Sequence, residues 1–163
     1  MVHSAAATSH LPTFSGYAVT EQIYQNERTA VYRALQAKPE RRVVIKVLRQ
    51  SHPSFDALVK FRNQYTITQD LSIAGIVNPL SLEPWSNGYA LVMEDCGSQS
   101  LDQYVQAVGP LSLVQTLSIG VQMAQILSDL GQHGLIHKDI KPANIIISPQ
   151  SGCIKLIDFS IAS

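Results

Sequence analysis

His137-Lys138-Asp139-Ile140-Lys141-Pro142-Ala143-Asn144 is followed, fourteen positions after its last residue, by Asp158-Phe159. Between them lie two apolar runs, 145–147 and 154–157, separated by a turn-forming stretch at 148–152. Each of these residues alone has an ordinary reading. An Asp in a loop is most often a turn residue, and Asn144 ahead of an apolar strand can cap a turn. Eight consecutive residues and a correctly spaced Asp-Phe are much harder to reach by accident.

In order and spacing the segment resembles the catalytic loop and magnesium-binding motif of the eukaryotic-type Ser/Thr protein kinases. Transfer of a γ-phosphoryl group needs a carboxylate to accept the hydroxyl proton, cations to spread the negative charge, and ligands that fix those cations. The resemblance implies Asp139 as the base, Lys141 as a contact to the γ-phosphate, and Asn144 with Asp158 as holders of Mg²⁺. Lys141 further implies Ser/Thr protein substrates. Related small-molecule phosphotransferases share the Asp and Asn but usually lack that Lys, and tyrosine kinases carry a different loop.

Upstream, residues 17–24, 30–36 and 42–48 are β-rich runs, with the breaker 37–40 between the second and third. They read as an antiparallel meander. A helix is expected over about 53–70, with Pro53 and Asp56 in its first turn and Leu58, Phe61, Arg62 and Tyr65 at helical spacing. Strands follow near 78–84 and 89–94, divided by Ser86-Asn87-Gly88. After Gly97 the pattern turns helical at 101–108 and 113–132. The second helix is expected to bring Leu113, Leu117, Val121, Ala124, Leu127 and Leu130 to one side. Asp129 is the only formal charge between 111 and 134, so other protein is expected to cover most of that helix.

Val43-Val44-Ile45-Lys46 resembles the family's third-strand motif, which implies Lys46 on the α- and β-phosphates. A solvated strand lysine is the ordinary alternative, and the apolar neighbours on both sides weaken it. Residues 91–97 resemble the fifth strand and hinge, with Met93 as gatekeeper and the backbone of Glu94 and Cys96 facing an adenine edge. Other positions depart from the family. The loop G-x-G-x-x-G-x-V, counted back from Val31, finds Tyr24, Asn26 and Thr29 where glycines belong. That restricts backbone approach to the phosphates, although Asn tolerates positive φ and Thr29 could add a hydroxyl contact. Alignment through Ile76-Val77 puts Gln64 where a helix glutamate would pair with Lys46, and an amide accepts a hydrogen bond without offering charge. Lys138 replaces an Arg, and Ser160 replaces the Gly of Asp-Phe-Gly.

Composition narrows the alternatives. The 163 residues carry twelve Lys+Arg and twelve Asp+Glu, and are 45% apolar and 15% charged, which excludes intrinsic disorder and a highly charged tail protein. Residues 1–62 hold nine basic and four acidic residues, whereas 63–137 hold six acidic ones and no Lys or Arg. No nucleic-acid-binding stripe results. Cys96 and Cys153, 57 positions apart, give neither a disulfide framework nor metal spacing and read as free thiols. No signal peptide or membrane span is evident, so the expected location is cytoplasmic.

The expected fold class is α+β, a protein-kinase-like bilobal fold. Residues 1–16 are expected to be a flexible N-terminus, 17–94 a five-stranded antiparallel N-lobe with one helix, 95–99 the hinge, and 100–163 the first part of a helical C-lobe. The domain as written reads as incomplete, since the family continues well past its Asp-Phe-Gly motif. The runs VYRA, VVIKVLR, FRNQYTITQDL, YALVMED and LIDFSIAS resemble the kinase-like domain heading bacterial multidomain hybrid sensor kinases. The resemblance implies ATP and Mg²⁺ as cofactors, a Ser/Thr-bearing protein substrate in signal transduction, and further domains, with no nucleic-acid or membrane partner. Gln64 and the glycine-free loop keep open a different class, a pseudokinase-like scaffold or nucleotide-sensing module.

Overall fold

Alternating inward and outward side chains between positions 17 and 48 form three antiparallel strands, β1 (Tyr17–Gln25), β2 (Thr29–Ala37) and β3 (Glu40–Leu48), in a computed structural model that describes residues 11–163. β4 (Pro79–Trp85) and β5 (Gly88–Glu94) complete a five-stranded sheet in the order β1-β2-β3-β5-β4. Between β3 and β4 lies α1 (Phe55–Thr68), which starts where the Ser54 hydroxyl accepts the Ala57 N–H at 3.2 Å, two residues later than expected.

At the centre of the sheet β5 is buried on both faces, whereas β1 at the edge has no buried residue. On the outer face, Val43, Ile45 and Val47 of β3 pack with Phe14, whose ring lies 5.3 Å from Trp85 and 6.1 Å from Tyr32. Of the segment 1–16 expected to be loose, residues 1–10 lie outside the described residues. Phe14, by contrast, is buried, because the outer face needs an apolar cover, so the packed chain begins before position 17. On the inner face, Phe61 of α1 packs with Val77, Leu91 and Met93. Lys46 projects from this inner face, between Val44 and Leu48.

A short strand β6 (Gln99–Ser100), too brief to leave a sequence signal, leads into α2 (Leu101–Val108) and α3 (Leu113–Gln132). Strands β7 (Ile145–Ile147) and β8 (Ile154–Leu156) join β6 in a small sheet of order β6-β7-β8. The sheet lobe is stitched to this part by backbone bonds from Leu156 N–H to Gly75 O (2.8 Å) and from Val77 N–H to Leu156 O (3.3 Å). This join fixes the chain just ahead of Asp158 relative to α1.

The expected face of α3 is corrected. Of the six residues expected on one side only Leu130 is buried, and the inward stripe is Ile119, Met123, Ile126 and Leu130. Leu113, Leu117 and Val121 stand 73%, 59% and 72% exposed, with Ala124 and Leu127 exposed beside them. An almost uncharged helix offers two apolar stripes at helical spacing, and the packing partner selects between them. The expected cover over most of the helix is likewise absent from the described residues.

Candidate active site

The register of the large sheet sets one side of the site. Tyr24 of β1 pairs with Val31 of β2, which pairs with Lys46 of β3, which pairs with Leu91 of β5. Val44 similarly pairs with Met93, and Glu94, Asp95 and Cys96 run on from β5 into the connection between lobes. All of these except Leu91, together with Ile146, Ile157 and with Lys141, Ala143 and Asn144 of the loop after α3, line a cleft of about 530 Å³. That size suits a small organic ligand.

Lys46 Nζ donates to Gln64 Oε1 at 3.0 Å and lies 3.2 Å from Asp158 Oδ1. Gln64 is buried, and its Nε2 reaches Met93 Sδ at 4.0 Å. Burial pushes the Asp158 carboxyl toward higher pKa, but the Lys46 charge and the adjoining Ser160 hydroxyl and N–H outweigh it and hold it below the ordinary carboxylate value. Asp158 has φ 67°, in the left-handed region that Asp tolerates better than most residues. Its Oδ1 is buried, and the lysine lies off the line of a hydrogen bond to it.

Asp139 sits on the loop after α3. Its Oδ2 accepts from Lys141 Nζ at 2.7 Å and from Asn144 Nδ2 at 2.8 Å, and its carbonyl accepts a second bond from Asn144 Nδ2 at 2.9 Å. The Lys141 bond is the main reason the Asp139 carboxyl lies below its ordinary value, and the same bond raises the Lys141 ammonium. Asn144, closing a single 3-10 turn at Pro142–Asn144, spends its NH₂ on Asp139, which leaves Oδ1 outside those bonds.

A divalent cation fits this donor set. Among the described residues no three His, Cys, Asp or Glu side chains form a metal cage. Mg²⁺ commonly takes one or two protein oxygens and completes its shell with phosphate and water. The donor-poor buried Oδ1 of Asp158 and the Oδ1 of Asn144 are oxygens of that kind.

The structure brings Lys46, Gln64, Asn144, Asp139, Lys141 and Asp158 to one end of the cleft and puts Val31, Met93, Glu94 and Cys96 along its walls. Asn26 and Thr29 line its mouth with Tyr24. Sequence reading missed two supports. His137, 2% exposed, accepts the Asp139 N–H on Nδ1 at 3.2 Å, is within 2.9 Å of Ile157 O through Nε2, and stands edge-on to Phe159 at 4.7 Å. It is the peg between both ends of the motif, and its only signal was its place in front of Lys138. The second is Arg33, whose Nε lies 2.9 Å from Asp95 Oδ2 and whose other nitrogens reach Glu21 and Ser98 O. The Asp95 side chain is 3% exposed, so this pair ties β1 and β2 to the connection between lobes. An Asp beside Glu94 gave no cue about a partner 62 positions away.

Comparison with known proteins gives a consistent result. A family model described as "Protein kinase domain" matches residues 17–163. A probable serine/threonine-protein kinase of Clostridium perfringens is 29% identical over 147 residues, covering 90% of this chain and 21% of that protein. Serine/threonine-protein kinase PrkC of Bacillus subtilis is 33% identical over 134 residues, covering 82% of this chain and 20% of the relative. PknA of Mycobacterium tuberculosis, another serine/threonine-protein kinase, is 33% identical over 159 residues, covering 92% and 36% respectively. The chain thus spans about a fifth to a third of the length of these relatives.

Proposed function

Because the chain belongs to the protein kinase family, we propose that its domain binds ATP with Mg²⁺ in the cleft and transfers the γ-phosphoryl group to a Ser or Thr hydroxyl of a protein. The observation that carries this reading is the convergence of Lys46, Asp158, Asn144, Asp139 and Lys141 at one end of a single cleft with apolar walls.

In this reading Val31 and Met93 border the adenine, and the backbone of Glu94 and Cys96 meets its edge. Lys46 neutralises the α- and β-phosphates, oriented by the Gln64 amide without a full counter-charge. Asp158 and Asn144 hold Mg²⁺, which when bound neutralises phosphate charge. Asp139 orients the substrate hydroxyl and takes its proton as the new P–O bond forms and the β–γ bridge breaks, releasing ADP. Like any aspartate it is ionised at neutral pH, and the Lys141 bond holds its carboxyl further below the ordinary value. Lys141 both fixes Asp139 and offers charge to the moving phosphoryl oxygens.

The same reading places the protein in cytoplasmic signal transduction, where MgATP is available and the free thiols Cys96 and Cys153 stay reduced. No helix among the described residues is long and apolar enough to cross a membrane. Further domains accompany this one, as the greater length of the relatives supports.

The test is phosphate transfer by the full-length protein against its Asp139→Asn and Lys46→Met forms. Each substitution is expected to lower kcat by about 100-fold or more. Equal activity in all three forms overturns the assignment. A melting temperature that rises with MgATP but not with ATP and a chelator is the expected binding result.

A further inference from the structure

The turn between β1 and β2 is organised around Asn26. Asn26 Oδ1 accepts the backbone N–H of Arg28 at 2.8 Å, the N–H of Thr29 at 2.7 Å and the Thr29 hydroxyl at 3.1 Å. Its Nδ2 donates to the Tyr24 hydroxyl at 3.0 Å, its N–H to Thr29 O at 3.0 Å, and its carbonyl accepts from the Arg49 guanidinium at 2.6 Å. Tyr24, Asn26 and Thr29 all line the mouth of the cleft. An anion at such a turn is bound chiefly by backbone N–H groups turned toward it. Here two of those groups already face a carboxamide oxygen of the same loop.

We infer that Asn26 is a specificity-determining residue of the nucleotide site, its carboxamide oxygen standing in for a phosphate oxygen on the Arg28 and Thr29 N–H groups. This rests on the nucleotide reading of the cleft. A phosphate must displace Asn26 before it can use those donors, so the loop adds little to the affinity for phosphates, while Lys46 and the metal ligands add most. The nucleoside end of the ligand, lying toward Met93 and Cys96, is untouched by the exchange.

Calorimetry on the full-length protein with MgATP, MgADP and adenosine tests this. Asn26→Gly removes the internal acceptor and restores a residue that lets backbone approach the ligand. It is expected to tighten MgATP and MgADP by about fivefold, the low end for two exposed hydrogen bonds regained, and to leave adenosine unchanged. Asn26→Asp keeps the acceptor and adds a negative charge beside the phosphates. It is expected to weaken MgATP and MgADP by at least the same factor, again sparing adenosine. If Asn26→Gly binds the phosphate-bearing ligands no tighter than wild type, or shifts adenosine by the same factor, Asn26 only shapes the hairpin and the inference is overturned. Wild-type protein that binds none of the three ligands overturns the nucleotide reading as well. Normal wild-type binding with no effect of either substitution overturns the inference alone.

Discussion

Lys46 Nζ lies 3.0 Å from Gln64 Oε1 and 3.2 Å from Asp158 Oδ1, so among the described residues its only formal counter-charge is the aspartate. Lys46→Met therefore leaves a mostly covered carboxylate without its cation. The protein should lose about 1–3 kcal/mol, below the full cost of breaking a buried pair because Asp158 is 31% exposed. Adding Asp158→Asn should recover much of that loss in the melting temperature. A double variant no more stable than Lys46→Met would show that the charge is not the cause. The pair also fixes a pH response. A carboxyl held below its unfolded value stabilises the fold above that value and loses the contribution as pH falls through the folded one. Wild type should lose this stability only below about pH 4, and Lys46→Met should lack that part of the acid dependence. Gln64→Glu adds the missing charge, and a charge-assisted bond is about twice as strong as a neutral one. The ATP KM should fall about threefold, and an unchanged or raised KM would show that Lys46 needs no further orientation. Lys46, Asp139, Asn144 and Asp158 could be picked out because each lies in a short motif, and Gln64 only through alignment at Ile76-Val77. The self-capping of Asn26 and the Arg33–Asp95 pair could not, since they depend on how a turn closes and how two strands align.

α3 shows where element-level reading succeeds and where it stops. Its limits were visible from apolar recurrence, and Ser112 with Gln115 forms a reciprocal cap, the Ser112 hydroxyl taking the Gln115 N–H at 3.3 Å while Gln115 Oε1 takes the Ser112 N–H at 2.9 Å. Its rotation was not visible, because apolar residues encircle it and no charge marks the outer side. What sets the rotation is contact with the segment joining α1 to β4. A Cβ added at Gly75 would lie 2.1 Å from Ile126 Cγ1 and 2.7 Å from its Cδ1. The β-branched Ile126 cannot swing its Cγ1 away freely. Gly75→Ala should therefore cost about 1–3 kcal/mol by overpacking. Combined with Ile126→Ala, it should cost clearly less than the sum of the two single changes. Strict additivity in urea unfolding would show that the two elements do not press on each other. The segment matters for the site as well, since Gly75 and Val77 carry the backbone bonds to β8 just ahead of Asp158.

Across the whole molecule the two lobes differ in how they finish their surfaces. The centre of the large sheet is covered on both faces, by Phe14 and Trp85 outside and by α1 inside. α3 covers β8 with one stripe and turns the other outward, where Leu113, Val114, Leu117 and Val121 are between 59% and 77% exposed. Apolar residues gathered on one helix face, with no Lys, Arg, Asp or Glu from 111 to 128 to interrupt them, differ from the scattered surface apolar residues of an ordinary monomer. Burial of such a stripe would stabilise any association that covers it, at about 25 cal/mol per Å² of apolar area. The 163-residue chain studied alone should therefore self-associate as its concentration rises and bind a hydrophobic dye. The double substitution Leu117→Glu and Val121→Glu places charge at two positions that support no buried contact. It should return the chain to a monomer in sedimentation velocity while leaving the melting temperature within about 1 °C, since exposed positions contribute little to stability. A large fall in melting temperature would show instead that this face already packs against the protein's own chain. Unchanged self-association would move the sticky surface elsewhere, to the exposed Ile136 and Ile140 at the start of the loop that carries Asp139.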